Sequence, residues 1–288
     1  MASDRRVRFG PAGNSASFYA EGHKRSDEMP RWLNGLGLDA YEYSFGRGVR
    51  LKEDLASRLG NEARQFDIAL SVHAPYYINL ANPSEEARAK SRQYLFDSAA
   101  AASLMGATRI VFHTGSSAGQ GRESAMKLAM GELEKVLAGL QQQGLGDLIL
   151  CPETMGRASQ LGTLDEVLAL CLLGENVYPA IDFGHINALE QGSLKTAGDF
   201  RRILDVVNAR LGPVKCDGFH AHFSHIQYGS KGEIKHLTFE DGEYGPAFEP
   251  LAQVLRECDL HPVIICESRD VMAEDALQMK AIYEGLRC

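Results

Sequence analysis

No stretch of this 288-residue chain approaches the roughly 20 uninterrupted apolar residues that a membrane helix needs, so no membrane partner is expected. The polar start, Met-Ala-Ser-Asp-Arg-Arg, has no apolar run behind it, which argues against a secretory signal and for a cytoplasmic protein. The cysteines, Cys151, Cys171, Cys216, Cys258, Cys266 and Cys288, include no C-x-x-C pair. They read as buried free thiols rather than as a disulfide framework or a thiolate zinc site. Any metal bound here must therefore take nitrogen and oxygen ligands. Positive charge is also in short supply, with 30 Lys and Arg against 38 Asp and Glu and a formal net charge of −8. Phosphate contacts are made mainly by Lys and Arg, so this balance argues mildly against a nucleic-acid partner. A cluster of acidic ligands holding cations would account for part of it. Internal repeats, low-complexity tracts and Pro/Gly/Ser linkers are absent, so one domain over residues 1–288 is expected.

What the chain does have is alternation. Eight short apolar runs read as strands: Val7–Phe9, Ala40–Tyr43, Ala69–Val72, Arg109–Phe112, Leu148–Cys151, Tyr178–Ile181, Gly218–Phe223 and Pro262–Cys266. Between them lie segments of helical periodicity, among them Glu85–Leu104, Glu123–Gln142 and Leu164–Leu173. Strands alternating with helices predict parallel βα units, and eight of them predict an α/β fold closed into a (β/α)8 barrel.

The ionisable residues fall at the ends of those runs. His73 follows Leu70-Ser71-Val72, His113 follows Ile110-Val111-Phe112, and Glu153 follows Leu150-Cys151-Pro152. Asp182 and His185 follow Ala180-Ile181, His220 and His222 lie in the seventh run, and Glu267 follows Ile265-Cys266. Each alone has an ordinary structural explanation, such as a turn cap or a pairing of Glu153 with Arg157 or Glu267 with Arg269. Six consecutive strands delivering such a group to one barrel mouth do not. The carboxylates gathered there among imidazoles would repel one another and pay a desolvation cost unless divalent cations, with zinc the natural choice, neutralised them. His220 and His222 are i and i+2, so both point to one side of their strand and periodicity leaves both open. His23, His225 and His261 have no partner pattern and read as solvated.

These motifs together resemble endonuclease IV, the zinc-dependent abasic-site endonuclease family of the xylose-isomerase-like barrels. The resemblance spans His73 to Glu267, about two-thirds of the chain. His73-Ala-Pro-Tyr76-Tyr-Ile-Asn79-Leu80, with Ser91-Arg92 after it, is similar to the family's H-x-x-Y-L-I-N-L. Phe112-His113-Thr-Gly115-Ser116 is similar to F-H-P-G-S. Glu153-Thr154-Met-Gly156 with Gln160-Leu161-Gly162 is similar to E-N-T-A-G and N-L-G, Asp182-Phe-Gly-His185 to D-T-C-H, and Glu267-Ser268 to E-T.

The resemblance implies two or three zinc ions and hydrolysis of the phosphodiester 5′ to an abasic site in double-stranded DNA, by a protein expected to be a monomer. It implies His73 and His113 on one zinc, with Glu153 bridging to a second held by Asp182, Glu267 and a seventh-strand histidine. Gly218-Phe219-His220 ahead of Gly229-Ser230 favours His220 over His222. His185 and His236 would hold a third zinc. Glu267 or Glu153 would also orient the attacking water, and Tyr76 would enter the DNA minor groove; Arg47 and Arg50 lie in the loop of the family's DNA-contacting arginine, where a solvated loop or helix start accounts for them equally well. Two departures stand out. The first strand lacks the family's histidine, and the family's D-x-H is here Glu233-Ile234-Lys235-His236, one residue longer. A single-metal sugar isomerase or epimerase would need only Glu153, Asp182, His220 or His222, and Glu267. A non-catalytic barrel with structural zinc is the third reading, and an open coordination position would count against it.

Overall fold

The computed structural model describes residues 5–46, 48–117 and 119–286; Arg47 and Cys288 lie outside the described residues. Eight parallel strands form the centre: β1 Arg8–Pro11, β2 Ala40–Ser44, β3 Ala69–His73, β4 Arg109–Phe112, β5 Ile149–Pro152, β6 Ala180–Asp182, β7 His220–Phe223 and β8 Val263–Cys266. They pair in two four-stranded ladders, β2 to β5 and β6 through β7 and β8 to β1. Parallel bridges Ala12↔Glu42 and Glu153↔Ala180 join the ladders on both sides and close the barrel. The eight runs expected from the sequence are thus the eight barrel strands, each displaced by no more than a few residues.

Local signals explain the helices between them. The helix Leu164–Cys171 opens on a capping box, in which Thr163 and Glu166 satisfy each other's backbone donors. The helix Glu85–Met105 starts at Ser84, carries Glu85 and Glu86 where the helix dipole favours acids, and stops at Gly106 with φ +70. No helix among the described residues is long and apolar enough to cross a membrane.

Apolar side chains form one large cluster between barrel and helices, and a small one of Val111, Cys151 and Ala180. The strand pleat assigns residues to the two faces. In β7, Phe223 packs outward on Phe183, Phe239 and Phe248, while His220 and His222 point into the barrel. Much of the barrel interior is therefore polar. Glu42, Ser71, Glu153, His220 and His222 are all buried in it, in place of the branched aliphatic layers usual in such barrels.

Candidate metal centre at the barrel mouth

Backbone hydrogen bonds and tight packing hold each mouth residue in place. Asn79 Oδ1 accepts from Ala81 N at 3.1 Å and Ser116 N at 3.3 Å, while Ser91 Oγ bonds Asn79 N at 3.1 Å. Gly115, at φ +124, passes so close that an added Cβ would lie 2.2 Å from Asn79 Oδ1. The segments after His73 and His113 are thus locked together. Asp182 caps the short helix Phe183–Leu189 by accepting from His185 N at 2.7 Å. That cap sets both Asp182 and His185.

Glu153 lies at the centre, fully buried, with both oxygens engaged. Oε2 is 3.2 Å from His73 Nε2 and 3.1 Å from His113 Nε2. Oε1 is 3.0 Å from His222 Nδ1 and 3.5 Å from His185 Nδ1. Four groups of side chains at the mouth could hold an ion, each with its ligand atoms within 4.8 Å of one another: His73, His113 and Glu153; Glu153, Asp182, His222 and Glu267; His73, His222 and Glu267, which overlaps both; and His185, Glu233 and His236. They border a cavity of about 360 Å³ whose rim includes Tyr76 and Arg157. Tyr76 is 64% exposed.

The structure brings His222, rather than His220, to Asp182 and Glu267. Strand register is the reason: His222 pairs across β6 with Asp182, whereas His220 pairs with Ala180, two residues deeper. His220 instead bonds Glu42 Oε2 at 3.0 Å, in a further group of Glu42, His220 and His222. Glu42 was not among the residues expected from the sequence. A charged residue inside the apolar run Ala40-Tyr41-Glu42-Tyr43 was the available signal, because a barrel strand is covered on both faces.

Glu233 does reach the third group. It lies in the antiparallel hairpin Ile226–Gly229 and Gly232–His236, whose register shifts so that Tyr228 opposes Glu233 while Gln227 opposes Lys235. The skipped residue, Ile234, bulges out and is 54% exposed. One bulged residue converts an i, i+3 spacing into a shared face, which compensates for the extra residue in Glu233-Ile234-Lys235-His236. Glu233 Oε2 is then 3.5 Å from His185 Nε2. Gly156 permits the approach, since a Cβ there would lie 2.7 Å from Glu233 Cβ and 2.9 Å from His185 Cδ2.

Other expectations need correcting. His23, His225 and His261 are not free in solvent: His23 stacks on Phe18, His225 on Phe239, and His261 bonds Asp217 at 2.9 Å. Arg157 pairs with Glu233 and Arg269 with Asp270, not with Glu153 and Glu267. A larger cleft of about 780 Å³ lies outside the barrel. Its charges neutralise one another, as in Arg58–Asp27 and Arg31–Glu62, and it presents no convergent unpaired set.

Electrostatics favour cations at the mouth. Among the described residues, the ion-pair partners of Glu42, Glu153, Asp182 and Glu267 are all histidines. Asp182 Oδ2 is buried and makes no hydrogen bond, although His185 Nδ1 lies 3.2 Å from it. Burial disfavours a charged His73, but the hydrogen bond and charge of Glu153, with the charges of Glu42 and Glu267, hold its pKa up to about 9. His185 is likewise buried, yet Asp182, Glu153 and Glu233 hold it up to about 10. Burial brings His220 down to about 4 despite Glu42. Second nitrogens are fixed as metal ligands require: His73 Nδ1 contacts the Ala74 carbonyl at 2.8 Å and His185 Nδ1 the Thr154 carbonyl at 2.9 Å. A nitrogen and oxygen donor set of this kind, with an unsatisfied buried carboxylate oxygen, fits divalent cations.

Comparison with known proteins gives the same architecture. A probable endonuclease 4 of Chloroflexus aurantiacus is 28% identical over 221 residues, 72% of this chain and 73% of its own. An uncharacterised protein of Methanocaldococcus jannaschii is 33% identical over 276 residues, 96% of this chain and 97% of its own. Endonuclease IV from Thermus thermophilus superimposes with a TM-score of 0.70 at 21% identity, covering 97% of this chain and 100% of that one. A D-psicose 3-epimerase crystallised with D-fructose gives 0.67 at 14% identity, covering 97% and 100%. At these identities the two solved structures establish shared fold alone. Residues 30–286 match one family described in those same terms, and with its closed parallel barrel the chain belongs to the xylose isomerase-like TIM barrel family.

Proposed function

We propose that the protein is a zinc-dependent endonuclease that hydrolyses the phosphodiester 5′ to abasic sites in double-stranded DNA. The observation that carries this reading is the shared carboxylate of Glu153. It joins His73 and His113 to the Asp182, His222 and Glu267 group, with His185, Glu233 and His236 alongside. A single-metal isomerase has no use for His73, His113, His185 and His236. The −8 charge favours that second reading; the probable endonuclease 4 relative favours the first.

Zinc bound there would supply Lewis acidity toward phosphate oxygens and a water acidic near neutral pH. The chain's own residues do the rest. Glu153 is buried with both oxygens committed to imidazoles, so it holds the centre together. Glu267, with its side chain 19% exposed, faces both His222 and the cavity. It is therefore the carboxylate placed to orient the attacking water and accept its proton. Tyr76, against Tyr77 at the rim, offers an aromatic face to a helix that lacks a base. Arg157 stands at the same rim to meet a phosphate.

Zinc-loaded protein is expected to nick a duplex at an abasic site and to leave a 3′-hydroxyl, with no cleavage of the intact duplex; EDTA should abolish this and zinc restore it. Full zinc occupancy without cleavage, together with turnover of a ketose sugar, would establish the epimerase reading instead.

His73 and His185 must give up protons to bind zinc, since neutral imidazole is the ligand. Zinc added to metal-stripped protein at about pH 7.5, below both raised pKa values, is expected to release protons into weak buffer. Apparent affinity should fall as pH falls, by about tenfold per unit for each proton displaced. A pH-independent affinity between about pH 6 and 8 would contradict the ligand assignment.

A further inference from the structure

Beneath the mouth, the barrel buries a charge that the proposed chemistry does not use. Glu42 stands in the middle of β2 and is fully buried. A carboxylate in such a place is costly unless it is paired and hydrogen-bonded. Ser71 Oγ donates to Glu42 Oε2 at 2.8 Å, and His220 Nε2 meets the same oxygen at 3.0 Å. His222 Nε2 lies 3.0 Å from the other oxygen, Oε1, as a charge contact, since neither atom makes a hydrogen bond.

His222 is thus in contact with both tiers. Its Nε2 faces Glu42, while its Nδ1 lies 3.0 Å from Glu153 Oε1 and 3.5 Å from Glu267 Oε1. The charge of Glu42 beside Nε2 favours a hydrogen there, as Glu153 beside Nδ1 favours one on that side; an ion at the mouth would displace the hydrogen from Nδ1 and leave Glu42 to hold the one on Nε2. The lone pair then resides on Nδ1, the atom that faces the mouth acids. His73 and His236 have their second nitrogens held by neutral groups, the Ala74 carbonyl and the Ser224 hydroxyl, whereas His185 Nδ1 meets the Thr154 carbonyl at 2.9 Å and Asp182 Oδ2 at 3.2 Å. His222 has a carboxylate in that role, which makes its free nitrogen the more basic donor.

We propose that Glu42 is a positioning residue: it fixes His222 as the Nε2–H tautomer and aims the Nδ1 lone pair at the ion site of Glu153, Asp182 and Glu267, while His220 and Ser71 hold Glu42 in place. The proposal rests on the reading of the mouth as a zinc centre.

Two measurements test it. In zinc-loaded wild-type protein with ¹⁵N-labelled histidine, two-bond nitrogen–proton correlation spectra should show His222 with its hydrogen on Nε2. In Glu42→Gln, which keeps the shape of the side chain but removes its charge, one zinc should bind roughly 10–100-fold more weakly, as expected on loss of an outer-shell partner. The ions at His73, His113 and Glu153 and at His185, Glu233 and His236 should keep their affinity. A packing role would change the melting temperature but would move neither the tautomer nor one site selectively. A hydrogen on His222 Nδ1 with zinc bound, or a Glu42→Gln variant that binds every zinc as tightly as wild type, would overturn the proposal alone. The spectra need no variant, so they decide the matter even if Glu42→Gln does not fold. Wild-type protein that takes up no zinc would overturn both this inference and the zinc reading beneath it.

Discussion

Glu153→Gln is expected to lower kcat/KM for abasic-site cleavage by at least about a thousandfold, or ~4 kcal/mol of transition-state stabilisation. The substitution changes one atom of a buried side chain and leaves no cavity, so its effect is electrostatic. It removes the negative charge that His73, His113, His185 and His222 all approach. It also turns an amide N–H toward nitrogens that must stay free for a metal. Zinc should be lost from both groups that share Glu153, while the group of His185, Glu233 and His236 keeps its ion. Cleavage kinetics and zinc content on the same preparation check this. Retention of a tenth of the wild-type rate would remove Glu153 from the centre of the account.

The second large effect is on stability. Zinc present at about 1,000 times its dissociation constant stabilises the folded state by ~4 kcal/mol per site. At a few degrees per kcal/mol for a chain of this size, stripping the metal is expected to lower Tm by at least about 10 °C. The sign of the pH dependence should also change. In the stripped protein His73 and His185 have pKa values raised to about 9 and about 10. Their contribution is fully present below the unfolded histidine value of about 6.5 and is lost as pH rises through those raised values. Stripped protein should therefore lose Tm between about pH 7 and 10, whereas zinc-loaded protein should not, because the metal has replaced the protons. Calorimetry of both forms across that range checks it. Equal melting curves with and without zinc would mean that the mouth residues hold no ion.

The architecture was legible because a parallel barrel writes itself twice into the chain, in the alternation of short apolar runs with helical periods and in the polar residues where those runs stop. His73, His113, Glu153, Asp182 and Glu267 could be placed at one mouth from that pattern alone. What was not legible depended on register and on contacts between distant strands. Two residues of strand rise separate His220 from His222, and only the pairing of β7 with β6 assigns His222 to the level of Asp182. The reach of Glu233 hinges on a bulge at Ile234, which a count of residues between ligands cannot reveal. Glu42 was visible as an acid within an apolar run, yet its meaning required three partners from β3 and β7. His23, His225 and His261 looked solvated because their partners are a ring or a carboxylate brought near by folding.

The most direct test of the multinuclear centre is the zinc content per chain of purified, exhaustively dialysed protein, measured by elemental analysis. Two or three ions per chain are expected, held by side chains from β3 through β8 and the hairpin that follows β7. One ion per chain, or none, would contradict it.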